Sequence, residues 1–256
     1  MMPTISSNTA ELVSRTPASL DPMHLGISSV VVMKLWWILF ALGTSCVWAV
    51  TPEDLHRAAT ELDVAILVEA LDAVNCAEAA GAGQADTLTV IDYARPSSEA
   101  RLWTFDLHTG HLLFHEWVAH GQGTGTEEAK HFSNQAGSRK SSLGLFRTAE
   151  TYHGNNGYSL RLDGLNIGVN DNARARAIVM HGADYVDSAF IQRHGRLGRS
   201  WGCPAVRRDI ARVLLDRIKH DGWLYAYHPS RQPAACAVPA RTAATSAITV
   251  PETIQR

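Results

Sequence analysis

The sequence predicts an α+β chain: one helix, then a β-rich domain, with a second helix late in that domain. Three observations carry this. Apolar residues over 52–79 recur at helical spacing. From Thr87 onward, short apolar or alternating runs are separated by turn residues. Val206–Lys219 then returns to helical spacing. A length of 256 residues suits one domain with short additions. Apolar residues make up 46% and charged residues 19%, which excludes a disordered chain, a collagen-like chain and a polytopic membrane protein. Lys plus Arg is 23 against 25 for Asp plus Glu, net charge −2, so the basic excess of a nucleic-acid binder is missing. Four cysteines do not make a disulfide-dense scaffold.

Residues 1–49 read as a disordered leader plus an address. The first 29 are polar and aperiodic, and an apolar run broken by Lys34 follows from Ile27 to Val50. Leu35–Val50 falls short of the roughly 20 apolar residues of a membrane helix. It suits a signal peptide: Met33-Lys34 as start and basic region, Leu35–Leu42 as apolar region, Val47-Trp48-Ala49 as cleavage site. The first 32 residues then come from an upstream start codon, and the mature chain begins near Val50. Two alternatives stay open: an uncleaved anchor tethering the chain to the membrane, and a lipoprotein at Cys46, although Gly43-Thr44-Ser45 is a poor lipobox. All three place the functional part in the periplasm or otherwise outside the cytoplasm, where disulfides persist.

Residues 50–86 form a helix and linker. Thr51 reads as the N-cap, Pro52 as N1, and Glu53 and Asp54 as the acidic first turn. Leu55, Ala59, Leu62, Ile66 and Leu71 predict one helix over 52–79, ended by Gly81 and Gly83. Residues 87–228 are the catalytic-domain candidate. Leu88–Tyr93, Arg101–Leu107 and Leu112–Ala119 read as strands, with a hairpin turn at His108–His111. Gly121–Ser142 is a long polar loop, and such loops in small domains are often functional. Leu143–Thr148, Ser159–Leu162 and Ala177–His181 are further strands. Val206–Lys219 is a helix with Ile210, Val213, Leu214 and Ile218 on one face, and Trp223–Tyr227 is a last strand. Residues 229–256 read as a flexible tail.

Cys203 is the leading nucleophile candidate. In Ser200-Trp201-Gly202-Cys203 a turn entering a helix leaves backbone N–H groups beside the sulfur. These groups and the helix dipole would favour the thiolate and hold an oxyanion. The alternative is a buried structural cysteine. His181, at the end of an apolar strand, is a base of suitable pKa. His194 before Gly195 is an alternative base. His111 and His115 are spaced i, i+4, but on a turn and strand that spacing gives no shared helical face for a metal. Gly121, Gly123 and Gly125 lack the phosphate-loop pattern and its Lys. Cys76 and Cys236 are candidates for a disulfide.

Met180–Val186 (M-H-G-A-D-Y-V) and Arg199–Val206 (R-S-W-G-C-P-A-V) together resemble the signature of the YkuD-type L,D-transpeptidase catalytic domain, in its murein branch. Further segments resemble it in order: R-L-W-T-F-D-L, V-A-H-G, F-S-N-Q, Y-S-L-R-L-D-G-L-N and N-D-N-A-R-A-R-A, covering about Leu88 to Tyr227. The commoner family form is Ser-His-Gly-Cys. Trp201 stands in the His place, which removes a polar side chain beside the nucleophile.

The resemblance implies a β-rich, mixed-sheet fold with an accessory N-terminal helix and a helix after the nucleophile. It implies that Cys203 attacks the third-residue (diaminopimelate) carbonyl of a peptidoglycan stem tetrapeptide, that D-Ala leaves, and that an amine takes the acyl group in a 3→3 cross-link. His181 would serve as base and Gly202 and Cys203 N–H as oxyanion donors, with Ser200 in the catalytic turn. No metal or organic cofactor is implied. Arg199 (a carboxylate anchor), Trp201, His120 and Tyr152 are expected to meet substrate, and Asn170 and Asp171 are weaker positioning candidates. The alternatives are a carboxypeptidase or endopeptidase with the same Cys-His pair, and a non-catalytic wall-binding module.

Overall fold

A computed structural model describes residues 50–220 and 222–231. The readings on the leader, Cys46 and Cys236 lie outside these residues. No helix among the described residues is long and apolar enough to cross a membrane.

Helix α1 (Pro52–Ala58) starts as expected. The Thr51 hydroxyl accepts the Asp54 N–H, and the Asp54 carboxylate accepts the Thr51 N–H, a capping box with Pro at the first helical position. The single helix expected over 52–79 is instead two. The chain leaves helical geometry at Ala59, and Asp63 caps a new helix, α2 (Val64–Ala79), by accepting the Ala65 N–H. Leu55, Ala59, Leu62 and Ile66 are buried in one cluster across the break, so the apolar period persists although the helix does not.

The strands are β1 (Thr87–Asp92), β2 (Leu102–Asp106), β3 (Leu112–Glu116), β4 (Gly144–Gly154), β5 (Gly157–Gly164), β6 (Val179–Ala183), β7 (Ala205–Arg207) and β8 (Trp223–Tyr227). They form one mixed sheet in the order β3-β2-β1-β8-β4-β5-β6-β7. The β1–β8 and β6–β7 pairs are parallel and the rest antiparallel. Just past β3, Ala119 exchanges backbone hydrogen bonds of 2.8 and 3.4 Å with Ala205 of β7. The two outer strands therefore meet, and the sheet curls towards a barrel with little exposed edge.

Both faces of the central strands are covered. Leu88 and Val90 of β1, with Trp223 and Tyr225 of β8, pack towards α1 and α2. Ile91, Leu224 and Ala226 face the second core, which is shared with α4 (Arg208–Ile218). Double coverage explains why these strands read as nearly continuous apolar runs. α4 buries Ala211, Leu214, Leu215 and Ile218. Val213, expected on that face, is 59% exposed. The helix after the nucleophile also starts later than expected, because Val206 belongs to β7. A short helix, α3 (Ser188–His194), carried no sequence signal. Asp187 caps it, and Gly195 at φ 70° ends it.

Candidate active site

Strand pairing sets His181 against the residues that directly follow Cys203. His181 of β6 lies opposite Ala205 of β7, and its N–H donates to Pro204 O at 3.3 Å. The nucleophile turn is built from its own side chains. Ser200 Oγ accepts the Gly202 N–H at 3.0 Å and donates to Cys203 O at 2.6 Å. Gly202 has φ 126°, a region that favours glycine, and a Cβ there would lie 2.9 Å from Lys140 O.

The segment after β3 straps this turn. The Ser200 N–H donates to His120 O at 3.0 Å and the Gln122 N–H to Ser200 O at 2.8 Å. Ser141 Oγ donates to Gly202 O and accepts the Gly121 N–H, both at 3.0 Å. A Cβ at Gly121 would stand 2.4 Å from Arg139 O and 2.8 Å from Gly202 Cα. Both obstacles are backbone, so Gly121→Ala must push the strap off the turn. The expected cost is about 1–3 kcal/mol. A lower Tm, together with a changed rate of Cys203 alkylation by iodoacetamide, checks it.

Cys203 is 8% exposed and is the free cysteine among the described residues; Cys76 is disulfide-bonded. Its Sγ accepts the Val179 N–H at 3.5 Å and donates to Ala177 O at 3.7 Å. Burial pushes the thiol above its usual range, against the pull of the Val179 N–H and the Arg176 charge. The expected helix-dipole activation is absent, since α4 begins only at Arg208, beyond β7. The Gly202 N–H is committed to Ser200. The Cys203 N–H makes no hydrogen bond among the described residues.

His181 is 4% exposed. Its Nδ1 lies 3.0 Å from Gly182 O. A carbonyl only accepts, so Nδ1 carries the proton and Nε2 keeps its lone pair. Burial holds the imidazole below its ordinary range. The resting pair is therefore neutral thiol and neutral imidazole, with no hydrogen bond joining them in this structure. Catalytic contacts of this kind often tighten only with substrate bound.

The other expected site residues divide. Arg199 is part-buried beside the turn and donates to Gly125 O at 3.0 Å. Trp201 is 72% exposed, with the Arg139 guanidinium 5.0 Å from its ring centroid. His120, expected to line the cleft, is fully buried. Its Nδ1 accepts from Arg101 at 2.8 Å, and burial with that neighbouring cation pushes its pKa down to about 3. It is a neutral packing residue with no face for substrate. Tyr152 shares a row with Ser159 and His181 across β4, β5 and β6, two strands from the base, and its ring stacks on Arg161. His194 is exposed in α3 and packs on Phe190. Asn170 is fully buried, with its amide donating to Leu143 O and Leu145 O. Asp171 accepts from Asn134 and the Gly168 N–H. Both hold loops together. His115 stacks on Trp103 at 4.9 Å, while His111 is exposed.

Arg176 went unrecognised in the sequence. Its guanidinium gathers Ser133 O, Ser138 Oγ, Lys140 O and Ser142 Oγ, fastening the long loop beside the nucleophile. Its charge favours the thiolate. Tyr93 and Tyr185 each have the phenol pushed up to about 12, mainly by burial, with a smaller contribution from the charge of a Cys203 thiolate. The repeated Arg in N-D-N-A-R-A-R-A was the available signal, but that irregular segment has no periodicity to show which Arg turns inward.

The family model described as L,D-transpeptidase catalytic domain matches residues 58–227. Solved structures similar to the chain include an L,D-transpeptidase from Mycobacterium smegmatis, at 13% identity over 56% of this chain and 59% of that one, TM-score 0.34. Another is L,D-transpeptidase 1 from Mycobacterium tuberculosis, at 12% identity over 56% and 62%, TM-score 0.32. A third is the L,D-transpeptidase of Xylanimonas cellulosilytica, at 14% identity over 57% and 62%, TM-score 0.32. The alignment thus spans about 60% of the length of these chains. No curated protein matches the sequence.

Proposed function

Since the chain belongs to the L,D-transpeptidase catalytic-domain family, we propose that it is a cysteine acyltransferase acting on peptidoglycan stem tetrapeptides outside the cytoplasm. The observation that carries the mechanism is the His181 tautomer. With Nδ1–H held by Gly182 O, Nε2 is the basic nitrogen, and β6–β7 pairing sets the His181 backbone opposite Ala205, two residues past Cys203.

Cys203 Sγ attacks the carbonyl carbon of the third stem residue as His181 Nε2 takes the thiol proton. The Cys203 N–H is the available donor to the oxyanion, and the Gly202 N–H joins it on leaving Ser200 Oγ. The C–N bond to D-Ala breaks, and the imidazolium returns the proton to the departing amine. A thioester remains on Cys203. A side-chain amine of a neighbouring stem attacks it, forms the 3→3 amide and releases the thiol. Ser200 and Gly202 shape the turn rather than handle protons. Arg199 and Trp201 border the approach. No step requires a metal or organic cofactor, because the thiol supplies the covalent chemistry.

Incubation with a disaccharide tetrapeptide tests the reading. The expected result is one D-Ala released per cross-linked dimer formed. D-Ala with only monomeric tripeptide would assign the same Cys-His pair to a hydrolase, and binding without D-Ala release would assign a wall-binding module.

A further inference from the structure

Four cations crowd the nucleophile turn, and none has a carboxylate partner. Lys140 O is the backbone atom that a Cβ at Gly202 would meet, and Arg139 O lies against Gly121 of the strap. Arg176 spends its donors on backbone and hydroxyl oxygens. Arg199 donates to Gly125 O. By contrast, Arg95, Arg161, Arg174, Arg207 and Arg208 each close on an Asp or Glu. Among the described residues no ion pair includes any of the four. The turn therefore carries an uncompensated positive field that attracts anions.

Of these four, Arg139 and Lys140 have their side-chain donors uncommitted among the described residues, and Arg139 is the one whose charge is seated on an aromatic ring. Its side chain is exposed and makes no hydrogen bond among the described residues. Its guanidinium nevertheless has a fixed seat, 5.0 Å from the centroid of Trp201, two positions before Cys203. Arg139 has φ 53°, and its carbonyl accepts the Gly123 N–H at 2.9 Å, which pins the backbone beneath the side chain. A guanidinium laid on an indole face keeps its edge N–H groups free for the two oxygens of a carboxylate, and stacking limits the rotamers that binding must still order.

We propose that Arg139, seated on Trp201, is a specificity-determining residue that receives a free carboxylate of the stem peptide. This rests on the transpeptidase reading above and deepens it. The candidates are the two carboxylates that flank the bond that breaks: the one on the diaminopimelate side branch and the terminal one of D-Ala.

Three stems distinguish them: the free acid, one amidated on diaminopimelate, and one ending in D-alaninamide. Release of the terminal residue is measured for wild type, Arg139→Ala and Arg139→Lys. Arg139→Ala is expected to lose about tenfold in kcat/KM on the free acid, chiefly through KM. One amidated stem should be a comparably poor substrate for wild type, and Arg139→Ala should treat it as wild type does; that stem identifies the carboxylate held. Arg139→Lys should recover part of the loss. Cys203 alkylation by iodoacetamide should proceed equally in wild type and Arg139→Ala. A wild type indifferent to both amidations, or an Arg139→Ala that slows equally on all three stems, overturns the inference alone. A wild type that processes none of the stems overturns the transpeptidase reading and this inference with it.

Discussion

Cys203→Ala is expected to abolish D-Ala release from a tetrapeptide stem, with a loss of at least about 10⁴-fold, the scale on which removing a covalent nucleophile acts. The thiol is 8% exposed and packed between the β6 backbone and the strapped turn, so a smaller apolar side chain should fold in its place. An unchanged Tm beside lost turnover would separate chemistry from folding. Cys203→Ser should be nearly as inactive. A hydroxyl is harder to deprotonate than a thiol, and the site gives the thiol itself little help, since burial raises its pKa and no helix N-terminus faces it. Full activity in either variant would remove Cys203 from the mechanism.

His181→Ala is expected to cost about 10²–10⁴-fold in the acylation rate, the usual worth of a positioned general base. Its pH signature is more telling than its size. Burial lowers the His181 pKa, so in wild type the base is already unprotonated at neutral pH. Acylation should therefore hold level through neutrality and fall only as pH drops through that lowered value. Burial raises the Cys203 pKa, so without the base the reactive thiolate must form by ionisation to solvent. The residual rate of His181→Ala should then climb about tenfold per pH unit from neutral pH towards the thiol pKa. A pH-independent residual rate would mean that the thiolate exists before attack, and that His181 is not its base.

Much of this was legible because the relevant signals are local. The capping box at Thr51, the apolar runs of β1 and β8, and the His-Gly end of β6 can be read from neighbouring residues. The mixed α+β class follows from them, and the break in the N-terminal helix was lost only because Leu55, Leu62 and Ile66 share one core on either side of it. The less legible features depend on long-range pairing. Val206 reads as a helix residue until β7 is seen to pair with both β6 and Ala119. That pairing moves the helix away from Cys203 and removes the dipole from its activation. His120 carries the same His-Gly signal as His181. It faces a buried Arg101 instead of the turn, and nothing in its neighbours reveals which way the ring points. Arg176 and Arg139 reach the site through the fold of an irregular loop, where no period exists to read.

The most direct measurement is the intact mass of the protein, quenched during turnover of a tetrapeptide stem and then mapped by peptide. The account predicts a thioester adduct equal to the stem without its D-Ala, carried on the peptide containing Cys203 and absent from Cys203→Ala. D-Ala release with no covalent adduct under single-turnover conditions, or an adduct on any other residue, would contradict it.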